Sequence, residues 1–276
     1  MLERRAYDPM TFEHTRRIPR LPLSAAFVVA ACSLVFVFAA AGTPIPLYNT
    51  YRAEAGITNA DLGWVSVGYF LAAATSLLVL GRLSNYLGRR PVAIAALASA
   101  ALSCLVLIGM HGVLSLAVAR VLQGLACGVA SSALGSYVVD SAPRRPRWLP
   151  AAITGSAPMV GIPIGALSCG ALVQYGPAPR ALIYEITAAA LVICMVLIGL
   201  SPETMSRSRG AMASLLPRFQ VSAGSGRLVL AAGAAFVATW SLGGFYQAFG
   251  PTLSAARCGR ATERSTTASR RPRFRS

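Results

Sequence analysis

Seven stretches without a single charged side chain set what this chain can become. Residues 21–51, 62–81, 91–119, 121–139, 148–179, 186–202 and 228–256 contain no Asp, Glu, Lys or Arg. A helix crosses the hydrocarbon core of a bilayer in roughly 18–20 apolar residues, and each block is near or above that length. A soluble chain would place charges through all of them, since about a quarter of its residues would be charged; here 12% are. The pattern predicts an all-helical integral membrane protein with spans near 23–47, 62–81, 91–110, 113–139, 148–174, 181–200 and 228–249. The first block is too long for the apolar part of a secretory signal, and Pro44 and Pro46 mark its far end, so it reads as a retained span.

The arginines then orient the spans. A net charge of +16 invites a nucleic-acid reading, but position excludes it. The N-terminal tail (1–20) and the second-to-third, fourth-to-fifth and sixth-to-seventh connections hold fifteen arginines, whereas the intervening connections hold only Arg52 and Arg180. Positive residues gathered on alternate loops predict a cytoplasmic N-terminus. The expected location is a bacterial cytoplasmic (inner) membrane, and the bilayer itself is the first partner. Five of six cysteines (Cys32, Cys104, Cys127, Cys169, Cys194) fall inside spans with no CxxC spacing and read as small apolar packers. There is no nucleotide-binding loop, metal spacing or nucleophile elbow, so neither an enzyme nor a cofactor is expected.

The expected organisation is a tail (1–20), a six-helix bundle (21–200), a cytoplasmic linker (201–226) with a short surface helix around 211–219, a seventh span (227–250) and a basic tail (251–276). Connections of about 9–12 residues predict that consecutive helices are neighbours. From Arg257 the chain carries seven arginines and almost no apolar residue. With 25 arginines and no lysine, the gene reads as GC-rich. The tail is then either an out-of-frame product or a natural basic extension.

Several embedded groups carry chemistry. Arg120 lies inside the fourth span, roughly 10 Å deep by helical rise, where a charge is costly and usually functional; Gln123 stands beside it. Small residues at Gly124, Gly128, Ser131 or Ser132, and Gly135 let backbones approach closely. The fifth span carries Pro158 and Pro163 among Gly155, Gly161, Gly165 and Gly170, which predicts a kinked, cavity-lining helix. Three acids are candidates for partners or proton carriers. Glu185, one turn into the sixth span, is either a proton carrier or a headgroup-level partner of Arg180. Asp140 is a partner of Arg89 or of Arg144. Asp61 completes Thr58-x-x-Asp61, a capping box for the second span. His111 reads as a loop residue.

Two segments carry a family likeness. Gly81, Leu83, Gly88, Arg89 and Arg90 resemble the signature loop of the major facilitator superfamily, G-x-L-(a)-D-R-x-G-R-(K/R), with Asn85 in place of its aspartate and Tyr86 in place of its usual arginine. Arg120-x-x-Gln123-Gly124-x-x-x-Gly128 resembles that family's fourth-helix motif, and Gly161-Ile162-Pro163-Ile164-Gly165 loosely resembles its antiporters' fifth-helix motif. The likeness runs over roughly residues 20–250, the family's first six-helix half plus its seventh helix. It implies a secondary transporter that rocks two bundles about a central small-molecule site. It further implies proton-coupled export, Arg120 and Gln123 as coupling or substrate residues, and the 81–90 loop as a latch on one access state. Seven spans supply one bundle and one extra helix. A homodimer or a missing second half is therefore the expected complement, and the rival reading is a non-transporting fragment that acts only through helix association.

Overall fold

A backbone surrounded by hydrocarbon satisfies its own N–H and C=O groups only along a helix or in a closed barrel, and the charge-free blocks take the first course. The computed structural model describes residues 21–81, 83–176, 181–205, 226–231, 233–235, 237–246 and 250. Its elements are α1 (Leu23–Gly42), α2 (Tyr48–Ala55), α3 (Asn59–Thr75) continuing through a π turn (Ser76–Leu80), α4 (Ser84–Leu87), α5 (Arg89–Ile108), α6 (Val113–Ser141), α7 (Leu149–Tyr175) and α8 (Leu182–Leu200). A last helix, α9, follows at Gly226–Tyr246. Seven of these are long and apolar enough to cross a membrane. The N-terminal tail, most of the linker, Arg82, Arg180 and the basic tail lie outside the described residues.

The spans begin and end where local chemistry dictates. The first is shorter than the apolar run predicts: the helix stops at Gly42 because Pro44 and Pro46 lack the N–H groups that would continue it, and 48–55 folds as the separate α2. At the start of α3, the Thr58 hydroxyl accepts from the Asp61 N–H while the Asp61 carboxylate accepts from the Thr58 N–H, a reciprocal capping box. α7 runs as one helix through Pro158 and Pro163.

Helix neighbours differ from the prediction. Of the consecutive spans, only α5 and α6 form a major contact; the other main pairings are α1 with α7, α6 and α8, α3 with α6, and α5 with α8. A ten-residue connection reaches roughly 30 Å when extended, so short loops permit adjacency without enforcing it. What selects the partners is small-residue complementarity. A Cβ added at Gly165 would sit 1.9 Å from the Ala39 carbonyl oxygen of α1, and one at Gly161 2.6 Å from that of Val35. Conversely, a Cβ at Gly42 would meet the Ile162 oxygen at 2.2 Å. On α6, Gly124 and Gly128 face α3 in the same way, their added Cβ atoms falling 2.3 Å from the Tyr69 oxygen and 2.0 Å from the Ser76 hydroxyl. α6 thus stands at the centre, with Ala119, Ala126, Ala130, Ala133 and Leu134 wholly buried.

One end of the bundle gathers the described connections that carry more than one arginine. The Leu21 N–H donates to the Leu200 carbonyl, which brings the start of α1 to the end of α8. The turn before α5 and the end of α6 meet at the same place through Arg89 and Asp140.

Candidate functional site

Two polar clusters interrupt the apolar core, and α6 contributes to both, about 30 Å apart by its rise of 1.5 Å per residue. The inner cluster forms where α1 ends. A helix leaves its last four carbonyls without intrahelical donors, and each of those of α1 has a replacement. The Ala39 oxygen accepts from the Thr43 N–H at 3.1 Å. The Ala40 oxygen would take the N–H of residue 44, but that residue is proline; it accepts instead from the Thr43 hydroxyl at 2.8 Å and from the Gln123 amide at 3.0 Å. The Ile45 N–H turns to the Gly42 oxygen, which leaves the Ala41 oxygen to Arg120 Nη1 at 2.7 Å. Arg120 also donates to Gln123 Oε1 at 2.8 Å and lies 4.3 Å from the centre of the Tyr69 ring.

Arg120 is therefore a fully buried guanidinium at the negative end of a helix dipole, the terminus that favours a cation, with an aromatic face against it. Of the two courses open to a charge at that depth, it faces the bundle interior and does not snorkel outward. The sequence motif brings Arg120 and Gln123 to one point, and Gly124 and Gly128 to the α3 contact just below. Missed at the sequence level were the acceptors, which are backbone carbonyls of α1, and Tyr48. The Tyr48 side chain is buried and its hydroxyl has no hydrogen-bond partner among the described residues. Burial raises its phenol above its ordinary value, partly offset by the Arg120 charge, so Tyr48 stays a neutral donor. A hydrogen bond between the Tyr51 and Tyr184 hydroxyls, 2.7 Å long, ties α2 to α8.

The second cluster is the turn at 81–90. Gly88 has φ +100°, and its missing Cβ would fall 2.8 Å from the Glu203 carboxylate; glycine meets both demands at once. The Arg89 guanidinium donates to Asp140 at 3.0 Å, to Ser84 at 2.8 Å and to Asn85 at 2.6 Å. Asn85 thus supplies an amide oxygen to the arginine, and Asp140 supplies the charge. Arg89 and Arg90 begin α5, where the helix dipole disfavours cations. Glu203 offsets this by accepting from both backbone N–H groups, at 2.7 and 3.1 Å. The Arg90 guanidinium donates to the Gly199 carbonyl in the last turn of α8. Asp140 also accepts from the Thr204 hydroxyl, and the Tyr137 hydroxyl donates to the Pro202 carbonyl.

Glu203 was not anticipated. The only sign of it in the sequence is an acid immediately after the sixth apolar run, and its partner lies 114 positions earlier. Leu83 is half-buried at the foot of α4, and Gly81 lends its carbonyl to the Ser132 hydroxyl.

The remaining sequence-level candidates disperse. Gly161 and Gly165 face α1, while Pro163 is exposed on the opposite side of α7. Glu185 is exposed in the first turn of α8, with Arg180 outside the described residues. Asp61 caps α3. The described residues hold no group of three or more His, Cys, Asp or Glu side chains arranged for a metal.

A cleft of about 650 Å³ opens beside the inner cluster, between α3 and α6 and under α9. Tyr69 belongs to both, with the guanidinium near its ring and the cleft beside it. The family model of the Major Facilitator Superfamily matches residues 27–259, a range that contains both clusters, the cleft and all seven spans but for the first four residues of α1. No curated protein matches the sequence.

Proposed function

Because the chain belongs to the Major Facilitator Superfamily, a family of membrane transporters, we propose that it is a secondary transporter that exports a small molecule in exchange for protons by alternating access. The observation that carries the reading is the Arg120 site. A wholly buried charge is bonded to the frayed end of α1, so any rearrangement of that helix end must also move the guanidinium or find it new acceptors. Such a joint has discrete states, which alternating access requires. Tyr48, with a free hydroxyl beside the charge, supplies a contact for a proton-carrying water or for a polar atom of the solute. In this reading the Arg89–Asp140 pair and the Glu203 bonds hold the arginine-rich end closed in one state and open in the other. That end faces the cytoplasm of a bacterial cell, and a second bundle completes the central site.

The test is uptake into proteoliposomes under an imposed pH gradient, with radiolabelled glucose, arginine, ethidium and chloramphenicol, an uncharged aromatic compound, as a first panel. At least one solute should move faster than in protein-free vesicles and stop when an uncoupler collapses the gradient. Arg120→Lys keeps the charge but loses the planar guanidinium that lies over the Tyr69 ring while its Nη1 donates to Ala41 and Gln123, so its rate should fall about tenfold or more. Arg120→Ala should be inactive. Equal rates for wild type and Arg120→Ala would overturn the assignment of Arg120, and no solute movement in any vesicle would overturn transport itself.

A further inference from the structure

We infer that the solute this chain recognises is an uncharged, ring-bearing lipophilic molecule, and that it binds in the cleft between α3, α6 and α9. The inference rests on the transport reading above and adds the chemical class to it. Among the described residues the cleft has no Asp, Glu, Lys, Arg or His in its lining, and a charged ligand placed there would lose its hydration with no charge among them to replace it. Two of the four hydroxyls that line it are engaged within their own helices: Ser66 donates to the Leu62 carbonyl and Ser131 to that of Cys127, both at 2.7 Å. A polar ligand would find few free donors.

Rings are what the cleft does offer. Tyr69 and Phe70 meet edge to face at 5.0 Å, and Phe70 and Trp240 at 6.3 Å, leaving a run of aromatic surfaces along one wall. Ala73 and Ala74 keep the neighbouring surface low enough for a flat molecule to lie against it. The volume of about 650 Å³ falls within the roughly 300–1,000 Å³ of sites for drug-sized ligands. A ligand against Tyr69 is one ring away from Arg120, so its arrival is sensed at the inner cluster without the ligand meeting the charge.

The experiment uses the full chain in lipid nanodiscs with tritiated benzophenone, an uncharged two-ring compound that crosslinks where it binds when illuminated. The adducts should map to 63–78 and 237–245. Naphthalene should compete, and naphthalene-1-sulfonate and naphthyl-trimethylammonium should compete at least tenfold less well. Ala74→Trp, which fills the cleft from an exposed position, should cut labelling about tenfold. Leu102→Trp, exposed on α5 away from the cleft, should leave it unchanged. Labelling spread equally over the outer faces of α5 and α8, or competition by either charged compound as strong as by naphthalene, would overturn the inference. The transport reading fails separately. If cleft labelling is specific and no panel solute moves in proteoliposomes, the ligand class stands and transport falls; if charged solutes move and cleft labelling is absent, the reverse holds.

Discussion

At Gly128 one missing methyl decides whether two helices can touch. A Cβ there would lie 2.0 Å from the Ser76 hydroxyl oxygen and 2.4 Å from the Ala73 carbonyl, and a backbone carbonyl cannot swing aside as a long side chain can. Gly128→Val should therefore push α3 away from α6. Overpacking of this kind costs roughly 1–3 kcal/mol, which for a chain of this size lowers the melting temperature by about 2–12 °C. Thermal scanning of the detergent-solubilised protein should show it, and Gly155→Val, where a Cβ meets nothing within 4 Å, is the control that should leave the melting temperature within about 1 °C. The contrast matters because both glycines lie in spans where glycine is ordinarily frequent. Only the one at a crossing is required. Equal melting temperatures for the two variants would mean that α3 and α6 do not approach as closely as Gly128 implies.

Among elements, α5 shows how far the sequence can be read. Its existence and start are plain from the charge-free run that follows Arg90, since the hydropathy of a span is a local property. Its neighbours are not, because in lipid apolar side chains gain little from one helix partner over another, and the choice falls to small residues meeting backbone on a surface that no single helix reveals. The same division runs through the site. Arg120 and Arg89 stand out as charges against apolar or glycine-bracketed sequence, whereas the Ala40 and Ala41 carbonyls and Glu203 become partners only when distant segments meet. Glu203 gives this division a measurable form. Its carboxylate accepts the first two N–H groups of α5, beside two arginines that the helix dipole disfavours there. Glu203→Gln keeps an acceptor and removes the charge, at a cost of about 1 kcal/mol. Hydrogen exchange should speed up about fivefold at the Arg89 and Arg90 amides and stay unchanged at Ala96 and Ala100 in the middle of α5. Unchanged exchange at all four would show that the helix start is held by its own turn rather than by the segment after α8.

For the whole molecule, the asymmetry of charge between the two ends is the property that orients it. The turn at 81–90, the segment after α6 with Arg144, Arg145 and Arg147, and the residues after α8 meet at one end. The turn containing His111 and the α1–α2 junction form the other. Each arginine near a span on the translocated side opposes insertion, so the end with more of them stays inside. The proposed orientation follows, with α1 entering from the cytoplasm and His111 outside. His111 and Pro143 are both exposed positions in turns, which makes them suited to cysteine substitution without disturbing the core. Cys104, Cys127, Cys169 and Cys194 are buried, and replacing Cys32 and Cys258 with serine removes the remaining background thiols. In intact cells a membrane-impermeant maleimide should label His111→Cys and not Pro143→Cys; after permeabilisation it should label both. The opposite pattern would invert the molecule and put the Arg89–Asp140 pair at the outer surface. Labelling of both variants in intact cells would mean a mixed population. It would also show that fifteen arginines against two, spread over loops of this length, are not enough to fix one orientation.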